Sequence, residues 1–286
     1  MKDMEIHISK QTTHRLKQTQ SLLDQLNPEA DPQALIVPGS PIPQGIVIVF
    51  PGSFNPPTNA HLALMSQARQ YARSHLLSTG AKNQAIRLYA AISKHIVDKE
   101  AVVRPSLLDR ILLLDNVLRH HLRHTGIMLL NRGLYVEQAQ GIHTYFPKMT
   151  KLYFLIGFDK IVQILDPHYY KDRDAALREL FALAELLVAP RGDAGQQELH
   201  SLLNKSENSQ FTSSIHPLPF SAAYRDFSST RIRQNPEAHL QDVPQEVRNF
   251  IQQTHAYAQP EHMPDGSQID YYGERMKALD SLVHSS

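Results

Sequence analysis

The chain has 286 residues, 42% hydrophobic and 20% charged, a globular balance with room for one large α/β domain or two small ones. Its 29 Lys and Arg against 28 Asp and Glu give a formal charge of +1 with no basic run, which argues against a nucleic-acid-wrapping protein. The absence of cysteine excludes disulfide and thiolate chemistry; short apolar runs and the lack of a leader pattern lead us to expect a cytoplasmic protein without membrane contact.

Residues 1–44 differ from the rest. Leu16, Leu22, Leu23 and Leu26 form one stripe of a polar helix over 12–26, and Pro28, Pro32, Pro38, Pro41 and Pro43 read as an extended linker. This appendage either packs back on the core, meets a partner, or is a partly disordered tail.

From residue 46 short apolar runs alternate with helical stretches. Residues 46–50 are β-branched and uncharged, as a strand buried on both faces of a parallel sheet should be. Apolar spacing then predicts a helix over 59–75, a strand over 86–92, a helix over 106–124 and a strand over 127–130. A helix over 134–145, a strand over 151–156, a helix over 175–184 and strands over 186–189 and 215–218 follow, with closing helices over 229–234 and 244–257. Such alternation with right-handed crossovers predicts an α/β protein with a Rossmann-like, doubly wound parallel sheet. We divide the chain at 1–44, 45–258 and 259–286; within the polar last segment only 275–283 is amphipathic enough to dock.

The segment that follows the first buried strand is the most informative: Gly52-Ser53-Phe54-Asn55-Pro56-Pro57-Thr58-Asn59-Ala60-His61. A glycine turn lets backbone approach an anion, and free N–H groups at a helix start favour phosphate. His61, in the first helical turn, is placed to donate to a phosphate oxygen as charge builds. Neither a P-loop nor a G-x-G-x-x-G is present. Taken alone, Thr58 also suits an N-cap and His61 an ordinary helix position.

A second segment, Asp226-Phe227-Ser228-Ser229-Thr230-Arg231-Ile232-Arg233, puts consecutive hydroxyls at a helix start and a guanidinium one turn on. Between the two, Leu155-Ile156-Gly157-Phe158-Asp159 closes a strand, and Leu187-Val188-Ala189-Pro190-Arg191-Gly192 closes another.

The first segment resembles the H-x-G-H signature of the nucleotidyltransferase superfamily, with Thr58 for the first His and Ala60 for Gly, and looks most like the eukaryotic-type nicotinamide-mononucleotide adenylyltransferases. The second resembles that superfamily's I-S-S-T-x-[IL]-R element, with Phe227 for Ile. The resemblance implies the nucleotidyltransferase fold and adenylyl transfer from ATP to nicotinamide mononucleotide. Other acceptors (nicotinate mononucleotide, phosphopantetheine, FMN), CTP as donor, or a non-catalytic nucleotide-binding module are the alternatives. It implies catalytic roles for His61 and Arg233, and phosphate binding by Gly52, Ser53, Phe54, Thr58, Ser228, Ser229, Thr230 and Arg233. Magnesium is expected to arrive with the ATP phosphates, since no carboxylate cage is evident.

For the acceptor side the resemblance implicates Gly157 and Asp159 on the nucleotide, Arg191 near phosphate or base, and Lys94 and Lys99 on the acceptor phosphate. Family members stack the nicotinamide on tryptophan; this chain has none, so Tyr169 or Tyr170 is the expected platform. His120 and His124, one turn apart on an expected helix, lack a third ligand and are flanked by arginines, so no metal site is expected there. The partners expected are thus ATP and a mononucleotide, with no nucleic acid.

Overall fold

The computed structural model describes residues 10–76, 84–94, 104–189, 192–224 and 227–284. The chain begins with helix α1 (Lys10–Gln25) and a short strand β1 (Ala34–Ile36), then β2 (Gly45–Pro51), α2 (Asn59–Tyr71) and β3 (Ile86–Ser93). It continues through α3 (Leu107–His121), β4 (Thr125–Leu130), α4 (Tyr135–Tyr145) and β5 (Met149–Gly157). Next come α5 (Phe158–Leu165), α6 (Arg173–Leu183), β6 (Glu185–Ala189), α7 (Gly192–Leu203) and β7 (Ile215–Pro217). Helices α8 (Ser229–Gln234) and α9 (Gln245–Thr254), a hairpin β8 (Glu261–His262) and β9 (Gln268–Ile269), and α10 (Tyr271–His284) close it.

Seven strands form one sheet in the order β1-β4-β3-β2-β5-β6-β7, parallel except where β1 runs against β4. The period of two in β2 explains how the sheet is covered. Ile46, Ile48 and Phe50 join a core with residues of α1, α2, α3 and α10, while Val47 and Val49 join another with α4, α5, α6 and α7. Val47, Ile48 and Val49 are completely buried, each side chain contributing roughly 1.5–3 kcal/mol by leaving water. A third cluster joins α3 to α8 and α9 through Val117, Ile232 and Val247.

From β2 the chain moves to β3 and β4 on one side, then returns to lay β5, β6 and β7 on the other. The order therefore reverses between β2 and β5, and their carboxyl ends open the crevice in which such sheets bind ligands.

The first 44 residues are part of this architecture where they are described. Leu16, Leu23 and Leu26 are core residues, and the proline-flanked stretch expected to be linker contains β1, paired through Ala34↔Leu130. Asn131, completely buried, anchors the turn before β1. Its Nδ2 donates to the carbonyls of Asn27 and Asp31 at 2.7 and 2.9 Å, and its Oδ1 accepts from the Gln33 amide at 2.7 Å. At the other end α10 docks over its whole length, with Tyr272 and Leu279 buried.

Helix α3 stops at His121, three residues short of expectation, and His124 adopts a left-handed φ of 61°. His120 and His124 thus do not share a continuous helix; His121 Nε2 sits 3.0 Å from Glu246 Oε2 instead. Two helices, α5 and α7, occupy stretches with no predicted helix. No helix among the described residues is long and apolar enough to cross a membrane.

Candidate active site

The turn after β2 is built from several devices. Gly52 donates its N–H to Ala91 O at 2.9 Å, and a Cβ there would meet the Phe54 ring at 3.1 Å, so a side chain at this position would have to displace the ring. Phe54 is buried with a left-handed φ of 44°, a conformation that a bulky residue holds only when its surroundings fix it. Its ring packs edge-on to Phe50 and tilts against His61 at a centroid distance of 5.1 Å.

Helix α2 then starts with a capping box in which histidine stands where Glu or Gln usually does. Thr58 Oγ1 accepts the His61 amide at 3.3 Å, and the Thr58 amide donates to His61 Nδ1 at 3.0 Å. That second bond makes Nδ1 an acceptor, so the neutral ring carries its proton on Nε2, a donor for an incoming oxygen. Between Phe50 and Phe54 the imidazole is poorly hydrated, and burial lowers its pKa to about 4. Thr58, the departure from the H-x-G-H pattern, thus orients the remaining histidine.

The second signature packs directly on this turn. Ser229 Oγ donates to Pro56 O at 2.9 Å, and Arg233 Nη1 donates to Asn55 O at 2.7 Å, with Nη2 3.2 Å from Thr230 Oγ1. Ser228 is the N-cap residue of α8, and its side chain makes no capping bond. The buried Asn55 side chain is pinned by Tyr257 Oη, which donates to Oδ1 at 2.7 Å, while Nδ2 donates to Arg104 O at 3.3 Å. Gly52, Ser53, Phe54, Thr58, His61, Ser229, Thr230 and Arg233 therefore form one contiguous cluster beyond the carboxyl end of β2.

In sequence Arg110 resembles an arginine of the family only loosely; the structure brings it to the same turn, where its Nη1 donates to Ser53 O at 3.3 Å. Burial lowers its pKa, the phenols of Tyr257 and Tyr272 oppose this, and nearby Arg233 adds to the lowering.

Across the crevice, Gly157 ends β5 and N-caps α5; a Cβ there would meet nothing within 4 Å, so it borders open space. Asp159 is exposed in the first turn of α5. Tyr169 is 53% exposed and offers a ring face, whereas Tyr170 commits its hydroxyl to Ile164 O at 2.7 Å. Lys94, expected near the acceptor phosphate, gives its Nζ to the carbonyls of Leu23 and Leu26, both at 2.7 Å, at the end of α1. Lys99, Arg191 and Asp226 lie outside the described residues.

No group of three or more His, Asp or Glu converges on a metal position among the described residues. The donors at the turn are hydroxyls, an imidazole and guanidinium groups, which match phosphate oxygens rather than a cation.

The cytidylyltransferase-like family model matches residues 49–235, which contain both signature segments. A Schizosaccharomyces pombe protein provisionally named a nicotinamide mononucleotide adenylyltransferase is 25% identical over 232 residues, 74% of this chain and 86% of that protein. Among solved structures, the nicotinic acid mononucleotide adenylyltransferase of Plasmodium falciparum complexed with APC aligns at 13% identity and a TM-score of 0.48, over 74% of this chain and 96% of its own. One from Vibrio parahaemolyticus, provisionally named a nicotinate-nucleotide adenylyltransferase, aligns at 13% identity and a TM-score of 0.38, over 75% and 96%. With a family match over most of its length and both signatures joined at the switch point of its sheet, the chain belongs to the cytidylyltransferase-like family and is a nucleotidyltransferase.

Proposed function

We propose that the protein transfers the adenylyl group of ATP to nicotinamide mononucleotide, giving NAD and pyrophosphate. The observation that carries this reading is the junction of the two signatures, Arg233 on Asn55 and Ser229 on Pro56, beside a histidine with its donor nitrogen free of its own cap. The name of the fission yeast relative favours a pyridine mononucleotide as acceptor, and nicotinamide over nicotinate.

In this scheme the acceptor's 5′-phosphate oxygen attacks the α-phosphorus of ATP in line. A new P–O bond forms, the bond to the β-phosphate oxygen breaks, and pyrophosphate leaves. No residue becomes covalently attached; positioning and charge stabilisation supply the rate. His61 Nε2–H and the Ser53–Thr58 turn hold the α-phosphate oxygens, while Arg233 with Ser228, Ser229 and Thr230 holds the leaving pyrophosphate. Magnesium carried with ATP would neutralise part of the phosphate charge, while the donors of the turn and of α8 would hold the phosphate oxygens. Gly157 leaves room for the nucleotide beside Asp159, and Tyr169 presents a face for the acceptor base.

Incubation with ATP or CTP against nicotinamide mononucleotide, nicotinate mononucleotide, phosphopantetheine and FMN, with pyrophosphate as readout, tests the reading. Turnover confined to ATP with nicotinamide mononucleotide is the expected result. Turnover with nicotinate mononucleotide alone would correct the acceptor, and ATP binding without turnover on any acceptor would make the protein a nucleotide-binding module.

A further inference from the structure

Both polar atoms of the Asn55 side chain, which is 1% exposed in the turn before α2, are held from distant parts of the chain. A backbone carbonyl can only accept, so Nδ2 faces Arg104 O at 3.3 Å and Oδ1 is left for Tyr257, whose hydroxyl donates to it at 2.7 Å. The phenol reaches the turn because α9 ends at Thr254 and His255 takes a left-handed φ of 52°, which reverses the chain just before Tyr257. Its ring packs on the cluster that contains Ile232 of α8, next in sequence to Arg233. Burial raises its pKa well above the usual phenol value, so the hydroxyl stays protonated and keeps donating. The other bond of Asn55 also leads to the C-terminal segment. Arg104 pairs twice with the Asp270 carboxylate, its Nη1 donating to Oδ1 at 2.8 Å and its Nη2 to Oδ2. Asp270 Oδ1 in turn accepts the Gly273 amide at 2.9 Å at the start of α10. Tyr257 and Asp270 both lie beyond 49–235, the residues that the family model matches.

We propose that Tyr257 is a positioning residue for adenylyl transfer: its hydroxyl fixes Asn55, and with it the backbone carbonyl on which Arg233 rests, where the guanidinium can meet the ATP phosphates. With its side chain tied at both ends, Asn55 cannot shift without stranding a buried polar atom, so its carbonyl is a fixed support. Tyr257 touches Asn55 rather than substrate, and therefore acts through Arg233. Asp270, by way of Arg104, is the second tether on the same residue. The proposal rests on the adenylyl-transfer reading of the site.

Steady-state kinetics with ATP and nicotinamide mononucleotide on wild type, Tyr257→Phe, Arg233→Ala and the double variant, beside the Tm of each, test it. Leaving the buried Asn55 Oδ1 without its donor should raise the KM for ATP about tenfold and keep the KM for the acceptor within about twofold of wild type. Because Tyr257 acts through Arg233, the double variant should be no worse for ATP than Arg233→Ala alone. A phenol that only stabilises the fold would lower the Tm and leave both KM values of the folded protein at their wild-type level, which overturns the proposal. Additive effects of the two substitutions on ATP overturn it too. Should Tyr257→Phe fail to fold, Asp270→Asn loosens the other tether instead: a raised KM for ATP alone supports the proposal, and an unchanged one rejects it. Wild type without turnover defeats the adenylyl-transfer reading itself, whereas Tyr257→Phe with wild-type kinetics defeats only the role of Tyr257.

Discussion

The Arg233 guanidinium rests on the backbone carbonyl of Asn55, 178 positions earlier in the chain, at 2.7 Å. Asn55 belongs to the turn between β2 and α2, and Arg233 lies in the last turn of α8. The contact means that a displacement of either signature moves the other, so in the proposed reaction donors from both would act on one ligand as a unit.

Loss of the His61 ring should cost turnover and spare the fold. Removing one preorganised donor to a developing oxyanion typically costs about 2.7–4 kcal/mol of barrier, so His61→Ala should release pyrophosphate on the order of a hundredfold or more slowly. Steady-state kinetics with circular dichroism separates the two effects; a near-normal kcat would remove His61 from the mechanism.

The imidazole packed between Phe50 and Phe54 predicts a pH signature in stability. With its folded-state pKa lowered from 6.5 to about 4, His61 takes up a proton in the unfolded chain before it does in the native one. Its contribution is therefore present above pH 6.5 and is lost as pH falls toward 4. Between pH 7.5 and pH 5 wild type should lose about 2 kcal/mol more than His61→Gln, from 1.36 kcal/mol per pKa unit. Urea titrations at the two pH values measure this; parallel losses in both proteins would show that the ring is hydrated.

Arg233→Ala should raise the KM for ATP by tenfold or more, since it removes a charge-assisted donor worth roughly 1.5–3 kcal/mol, while the KM for the acceptor changes little. Arg233→Lys should recover part of the loss but not all, because an ammonium cannot bond Asn55 O and phosphate in one planar fork. Equal effects on both substrates would place Arg233 away from the triphosphate.

The two chain ends should contribute to stability through single buried polar groups. Asn131→Ala strands the carbonyls of Asn27 and Asp31 and the amide of Gln33, for a loss of roughly 2–4 kcal/mol. Arg275→Ala leaves the carboxylate of Asp109 buried with Tyr272 as its remaining side-chain partner, a change that typically costs about 3 kcal/mol or more. Denaturant midpoints check both, and a loss below 1 kcal/mol in either would mean that water readily takes the missing partner's place.

Much of the sheet was legible because its strands carry short apolar runs bounded by turns, and the uncharged, β-branched run 46–50 reports burial on both faces. Strand β1 was not: three residues between Pro32 and Pro38 have no periodicity to read, and only the edge of β4 and the side chain of Asn131 make them extended. Helix α3 ran shorter than the expected 106–124 because the chain turns through the left-handed His124 into β4. Within the site, the signature segments identified His61, Ser229 and Arg233 as residue types suited to phosphate. That Thr58 sets the ring's tautomer, or that Asn55 is held by Tyr257, is long-range or rotamer-level geometry with no sequence pattern. Arg110 matched a family arginine only loosely in sequence, and its contact with the Ser53 carbonyl is long-range geometry of the same kind.

The most direct measurement is pyrophosphate release from ATP and nicotinamide mononucleotide, by wild type and His61→Ala side by side, with the dinucleotide product identified. Stoichiometric NAD and pyrophosphate from wild type, cut a hundredfold or more by the substitution, is the outcome that this chemistry demands. Wild type that binds ATP yet forms no dinucleotide, or a variant that turns over undiminished, would contradict it.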